Sequence, residues 1–331
     1  MIFPFNVYLA ALVAAFAVSL LALPGCRALC RRIGLLDDPG HRKIHATPIP
    51  LAGGFAVLIG MVIPLLLGAA MVHWNLPKLH HGDGLLEHGL VKRGWELIAI
   101  IIGAFIIVLT GGLDDKYELR PAVKFAGQFF AAVLIAKANV RITLFVHSDI
   151  FSYAITILWI LTVINAFNFM DNMNGLCAGL GAISAWTFAL IAGMDGQYLV
   201  TILALLTSGA LLGFLPYNFP RASAFLGDTG SHLVGYLLAV MAILPHFYTA
   251  QHPRHFTVLI PLLILAVPLG DLVWVVILRW RIGQPFYQGD NNHLSHRLVK
   301  RGWSKPNAVL IIWLLAAVCG GVAVALMLVP G

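Results

Sequence analysis

Leu97-Ile98-Ala99-Ile100-Ile101-Ile102-Gly103-Ala104-Phe105-Ile106-Ile107-Val108-Leu109-Thr110-Gly111-Gly112-Leu113-Asp114-Asp115 is an apolar run that stops abruptly on two carboxylates. It lies in a segment, near 94 to 113, that can cross a bilayer as a helix, since a spanning helix needs about 20 mostly apolar residues. The same measure finds nine more segments, near 3 to 24, 51 to 73, 121 to 138, 150 to 168, 175 to 193, 197 to 215, 229 to 245, 256 to 278 and 307 to 329. Composition agrees. Of 331 residues 60% are hydrophobic and 11% charged, with mean hydropathy +0.89, against about 25% charged in soluble domains. The expected fold is all-α, a polytopic membrane helix bundle of about ten transmembrane helices. No linker, low-complexity tract or fixed-period repeat divides the chain, so residues 1–331 read as a single integral membrane domain.

Met1 to Asn6 carries no basic residue, and Arg27, Arg31 and Arg32 follow the first span. That span therefore reads as a retained helix starting outside rather than as a cleaved signal peptide. Ten spans then put both termini on the extracytoplasmic side. Of the 21 Lys and Arg residues, 15 fall in inside loops (25–50, 114–124, 216–228 and 279–306) and six outside, the asymmetry of the positive-inside rule. The net charge of +7 is thus mostly a cytoplasmic excess, which suits anionic headgroups, phosphates or nucleotides equally well. Cys26 and Cys30 end the first span on the reducing side, and Cys177 and Cys319 sit within apolar helices, so all four are expected as free thiols.

Three acidic stretches share the inside face: Gly112-Leu113-Asp114-Asp115, Asn165-Ala166-Phe167-Asn168-Phe169-Met170-Asp171, and Phe225-Leu226-Gly227-Asp228. Carboxylates are costly beside hydrocarbon, so their convergence asks for a cation or a reaction. Asp114 and Asp115 end a helix whose negative dipole end repels them; a nearby Lys or a divalent ion should compensate, unless the pair is only a solvated acidic turn before Pro121. Asn165, Asn168, Asp171 and Asn174 form a ladder at period three, and residues three apart are helix neighbours. The ladder offers either hard oxygen ligands for Mg²⁺ beside substrate phosphates or interhelical hydrogen bonds. Asp228 at the start of Gly227-Asp228-Thr229-Gly230-Ser231 is either an N-cap or a metal ligand beside backbone N–H groups that address a phosphate.

The last inside loop carries Asn292-His293-Leu294-Ser295-His296-Arg297, whose histidines suit roles as ligands, acids or phosphate donors. Eight further His lie in the outer loops without regular ligand spacing, which reads as a solvated polar surface. Asp271, well inside a span, should face the bundle interior and be functional or paired.

At these loops the chain resembles the polyprenyl-phosphate N-acetylhexosamine-1-phosphate transferases, over nearly its whole length. Four blocks carry the resemblance: His41-Arg42-Lys43-Ile44-His45-Ala46-Thr47-Pro48-Ile49-Pro50 with Gly53-Gly54; Gly112-Leu113-Asp114-Asp115 with Lys124; Asn165-x-x-Asn168-x-x-Asp171; and Phe225-Leu226-Gly227-Asp228-Thr229-Gly230-Ser231. Pro268-x-x-Asp271 and His293-x-x-His296-Arg297-Leu298 look like the N-acetylglucosamine branch rather than the muramoyl-pentapeptide branch. The resemblance implies that undecaprenyl phosphate attacks the β-phosphorus of a UDP-N-acetylhexosamine, giving the undecaprenyl-diphospho-sugar and UMP. It implies Mg²⁺, with Mn²⁺ as the alternative, on Asp228 and Asn168, with Asp114, Asp115 and Asp171 catalytic beside them. Lys43, Lys124, His293, His296 and Arg297 would neutralise the phosphates, Phe225 would stack on uracil, and Thr47 and Asn165 would contact substrate.

The expected partners are that nucleotide sugar, the lipid phosphate and the bilayer, with no nucleic acid; a homodimer stays open. The expected location is the bacterial cytoplasmic membrane, with the active site on its cytoplasmic face and a role in cell-envelope synthesis. Two positions depart from the family pattern: Asn174 stands where a second Asp is usual and cannot carry a proton, and Ser295 stands where a His is common. A secondary transporter is the rival from another class, but transporters tend to place sites at the midplane of repeated halves, and here only Asp271 is deep.

Overall fold

The computed structural model describes residues 3–38, 47–74, 83–144, 146–245, 247, 255–284 and 292–329. Among these residues twelve α-helices run in order: α1 Phe5–Ile33, α2 Gly53–His73, α3 Asp83–Tyr117, α4 Pro121–Lys137, α5 Asp149–Met170, α6 Leu176–Met194, α7 Tyr198–Phe214, α8 Gly227–Met241, α9 Ile260–Ile264, α10 Ala266–Arg281, α11 Leu294–Lys300 and α12 Lys305–Leu328. Two-residue strands β1 (Leu36–Asp37) and β2 (Ile49–Pro50) pair antiparallel between α1 and α2. The helix ends follow local chemistry. Gly34 takes a left-handed φ of 71° and closes α1, Ser148 and Ser304 accept backbone N–H bonds at the starts of α5 and α12, and Pro121 opens α4, where its missing N–H costs nothing.

Seven of the helices, α1, α2, α3, α5, α6, α7 and α12, are long and apolar enough to cross a membrane, and an eighth crossing is made if the bent pair before Arg281 counts as one span. The ten expected segments all coincide with helix, but two are short: α4 has 17 residues and α8 has 15. At 1.5 Å per residue these reach about 22–26 Å. The segment expected as one helix over 256–278 is broken instead, with the parts bent by 73° at Leu265. Pro268 has no N–H to offer the carbonyl of Ile264 four residues back, which is where the helix gives way.

At the centre stands α8, in which every residue from Thr229 to Met241 is buried. It packs most extensively on α3 and α5, then on α2 and α6. Small residues allow this closeness, as in membrane bundles generally. A Cβ on Gly54 would lie 2.5 Å from the Gly230 nitrogen, one on Gly111 2.6 Å from Thr229 Cα, and one on Gly235 2.6 Å from Ile164 Cα. The outer helices reverse the pattern. On α12, Ala308, Ala316, Gly320 and Ala323 face inward while Leu310, Leu314, Val318 and Val322 are exposed, an apolar surface suited to lipid.

Candidate active site

The last turn of α3, the start of α4, the end of α5 and the start of α8 meet at one end of the bundle around a cleft of about 940 Å³. The lead-in to α8 is fixed by backbone bonds: Phe225 N–H donates to Pro50 O at 3.0 Å, while Phe225 O and Leu226 O accept from Gly53 and Gly54 at 2.9 and 3.3 Å. Gly227 then turns the chain with φ 71°, and a Cβ there would lie 2.7 Å from Asp115 Oδ2. Only glycine meets both demands.

Asp115 is consumed by this junction. Its carboxylate accepts from Asp228 N at 2.8 Å, Thr229 N at 3.0 Å and Thr229 Oγ1 at 2.6 Å, so a side chain from α3 caps α8 and satisfies N–H groups that a helix start leaves open. Asp114 is buried, pairs with Lys124 and accepts from Leu119 N at 2.8 Å. The Lys124 ammonium also reaches Asp228 Oδ2 at 3.2 Å, which supplies the compensating lysine expected for the acidic turn. Asn168 donates to Asp228 Oδ1 at 2.9 Å and to Ser231 Oγ at 3.0 Å, leaving its own carbonyl oxygen for another partner.

Asp171, just past the end of α5, also lines the cleft, yet its carboxylate accepts no hydrogen bond among the described residues. Burial pushes it up to about 8, with the negative charges of Asp228 and Asp115 adding to the effect. An unpartnered carboxylate in such a place fits a cation. Among the described residues the lining carries Asp37, Asp114, Asp115, Glu118, Asp171 and Asp228 beside Lys124, Arg221 and Lys305, a set rich in the carboxylate oxygens that hard cations accept. No group of three or more His, Cys, Asp or Glu side chains placed to hold a metal ion is found among the described residues. Mg²⁺ sites commonly use one or two carboxylates and leave the rest to water and phosphates, and Asp171, Asp228 and Asn168 are side chains of that chemistry in the cleft lining.

The other expected residues are distributed as follows. Phe225 lines the cleft. Asn165 does not: its amide donates to Gln128 Oε1 at 2.9 Å and to Leu161 O at 2.8 Å, an interhelical tie between α5 and α4. Thr47 is exposed before β2 and outside the lining, and Lys43 lies outside the described residues. His293, His296 and Arg297 are not among the lining residues. Arg297 stacks on Trp274 at 4.5 Å, and His293 is bound to Asp271. Burial, then the neighbours His293, Lys305 and Lys300, hold His296 below the usual histidine range.

Reading the sequence alone missed Asp37, Glu118, Asn172, Asn218, Arg221 and Lys305 in the cleft. Asn218 is buried and pins the loop before α8, accepting Gly175 N–H at 2.6 Å and donating to Ala224 O at 2.9 Å; its place between Tyr217 and the Phe219-Pro220 pair was the available signal. Arg221 and Lys305 were visible only as counts in inside loops.

Residues 97–246 match the profile of glycosyl transferase family 4. A relative from Bacillus subtilis (strain 168), a "Probable undecaprenyl-phosphate N-acetylglucosaminyl 1-phosphate transferase", is 34% identical over 316 residues, covering 92% of this chain and 82% of the relative. The chain belongs to glycosyl transferase family 4. Two further relatives in the family are a "Decaprenyl-phosphate N-acetylglucosaminephosphotransferase" of Mycobacterium tuberculosis, 32% identical over 87% of this chain and 74% of the relative, and an "Undecaprenyl-phosphate alpha-N-acetylglucosaminyl 1-phosphate transferase" of Salmonella typhi, 28% identical over 90% and 78%. This agrees with the family that the four motif blocks resemble and with the N-acetylglucosamine branch that Pro268-x-x-Asp271 and the His293 loop resemble.

Where the glycosyl transferase family 4 pattern usually has a second Asp, Asn174 donates its amide to Pro220 O at 3.2 Å. Asn174→Asp loses that donor and sets a carboxylate against a carbonyl oxygen. A hydrogen bond of this kind is worth about 1 kcal/mol, so activity is expected to stay within about tenfold of wild type. Steady-state turnover of the variant checks this; complete loss would mean that the loop serves a different chemistry.

Proposed function

We propose that this membrane enzyme transfers N-acetylglucosamine 1-phosphate from UDP-N-acetylglucosamine to undecaprenyl phosphate at the cytoplasmic face of a bacterial membrane, releasing UMP. An oxygen of the lipid phosphate forms a bond to the β-phosphorus, and the bond from that phosphorus to the bridging oxygen breaks, so that UMP leaves with the bonding pair. The observation that carries the reading is the Asp171 carboxylate, without a hydrogen bond among the described residues, in a cleft shared with Asp228.

Asp171, Asp228 and the Asn168 carbonyl would hold Mg²⁺ or Mn²⁺. When bound, the cation neutralises diphosphate oxygens and the charge passed to the leaving group. The chain does the positioning. Asp115 fixes the start of α8 and with it the direction of Asp228; Lys124, already beside Asp114 and Asp228, has an ammonium to offer a phosphate oxygen. Arg221 and Lys305 add charge elsewhere along the lining, and Phe225 gives a flat apolar surface for uracil. A lipid phosphate largely ionised at neutral pH needs little base catalysis, which leaves Asp114 the task of holding Lys124. The cytoplasmic assignment is supported by the 15 basic residues in inside loops.

The test is UMP release by membrane vesicles and by purified protein supplied with undecaprenyl phosphate and a panel of UDP-sugars. Inverted vesicles are expected to turn over externally added UDP-N-acetylglucosamine, right-side-out vesicles are not, and EDTA should stop the reaction. Equal rates in both orientations would overturn the sidedness. Purified protein that releases no UMP with any UDP-sugar would overturn the transferase reading.

A further inference from the structure

Asp271 has no part in the mechanism above, although it is buried at 5% exposure in α10. A carboxylate in such a place must be paired, and both of its oxygens are. Oδ2 lies 2.6 Å from His293 Nδ1, and Oδ1 accepts the Leu294 N–H at 2.7 Å. A carboxylate that accepts from the ring sets the proton on Nδ1, the nitrogen that faces it, with Nε2 at the other edge of the ring. The imidazole is also held edge-on to Phe169 at 5.8 Å between centroids. Phe169 is the residue after Asn168, and its ring carries the Arg279 guanidinium at 5.1 Å.

A second clamp docks the same loop on the cleft. Ser295 Oγ donates to Asn172 Oδ1 at 2.6 Å, and Asn172 lines the cleft one residue beyond Asp171. The short helix α11 is therefore suspended between α10 and the loop that carries Asp171, with His293 at its N-cap. A purely structural tie would not need an ion-pairing residue, because well-packed apolar side chains commonly do as well or better than a buried charge. Acid partners that orient a histidine and select its tautomer are familiar beside reacting centres.

We propose that Asp271 is a positioning residue of the transfer reaction, one that acts through His293, held protonated at Nδ1, to set α11 against the loop that carries Asp171. The inference rests on the transferase reading. In Asp271→Asn the amide keeps an oxygen for Leu294 N–H but turns its NH₂ toward Nδ1, which reverses the tautomer while retaining the helix cap.

The experiment measures kcat and KM by UMP release for wild type, Asp271→Asn, His293→Gln and the double variant, together with ¹⁵N-histidine NMR of the wild type and of Asp271→Asn. Loss of an orienting partner typically costs about 10- to 100-fold. That fall is expected in kcat for Asp271→Asn, with KM for UDP-N-acetylglucosamine within about threefold. In the His293→Gln background the same substitution should cost less than about threefold more, because the two act as a unit. The wild-type spectrum should show His293 protonated at Nδ1, with that signature lost in Asp271→Asn. Equal losses in both backgrounds, or a neutral wild-type His293 protonated at Nε2, would overturn the inference and leave the transferase reading intact. Should Asp271→Asn not fold, the wild-type spectrum decides the matter. Wild-type protein that releases no UMP would overturn both.

Discussion

Asp228→Ala should lower UMP release by about a hundred- to a thousandfold, the usual scale for removing one electrostatic contact to the reacting charges, while the protein remains folded. The separation of activity from stability follows from how α8 begins. Its first N–H groups are capped by Asp115 from α3, not by Asp228, so truncating Asp228 leaves the helix start satisfied. What is lost is an acceptor for Asn168 and Lys124 in a half-open position, together with one of the two carboxylates proposed to hold the cation. Thermal unfolding should therefore shift by only a few degrees, in keeping with a loss of about 1 kcal/mol, and titration with Mn²⁺ should show binding sharply weakened. Undiminished turnover in the folded variant, or in wild-type enzyme with excess EDTA, would remove the cation from the proposal.

Asp115 behaves differently. Asp115→Ala strips three hydrogen bonds from the start of α8 at once, and a buried donor left without a partner costs about 1–3 kcal/mol. Both stability and activity should fall: stability by about 2–4 kcal/mol, turnover by at least about a hundredfold because Asp228 is no longer aimed. Asp115→Asn keeps one acceptor oxygen and should lie between. A detergent-solubilised Asp115→Ala protein that unfolds at the wild-type temperature would contradict the capping role. Comparison of the two alanine variants then separates a residue that acts on substrate from one that acts on another residue.

Much of this is legible in the sequence because acids are rare in an apolar chain, and Asp114, Asp115, Asp171 and Asp228 stand at the ends of apolar segments. The hydropathy pattern sets their loops on one membrane face, which makes them a convergent set, and all four line one cleft. Their individual tasks were not legible. Nothing local distinguishes Asp115 from Asp114, yet one is spent on a backbone 113 positions away and the other on a lysine. The Asn ladder looked uniform at period three, but a helix turning by about 100° per residue spreads such a row around its surface: Asn165 reaches α4, Asn168 reaches α8, and Asn174 lies beyond the helix altogether. The break at Leu265 was hidden because hydropathy does not sense a missing N–H, and α11, only seven residues long, is too short to show a period.

The tight seating of α8 among α2, α3 and α5 has a bearing on how such an enzyme can diversify. A helix locked by backbone-to-backbone approach at Gly54, Gly111 and Gly235 has almost no freedom to drift, whereas Arg221 and Lys305 reach the cleft only as side chains from the rim. Changes in the acceptor or the sugar can therefore accumulate along the rim, one residue at a time, while the acid on the central helix keeps its bearing. The chain has in effect a fixed hearth and an exchangeable threshold.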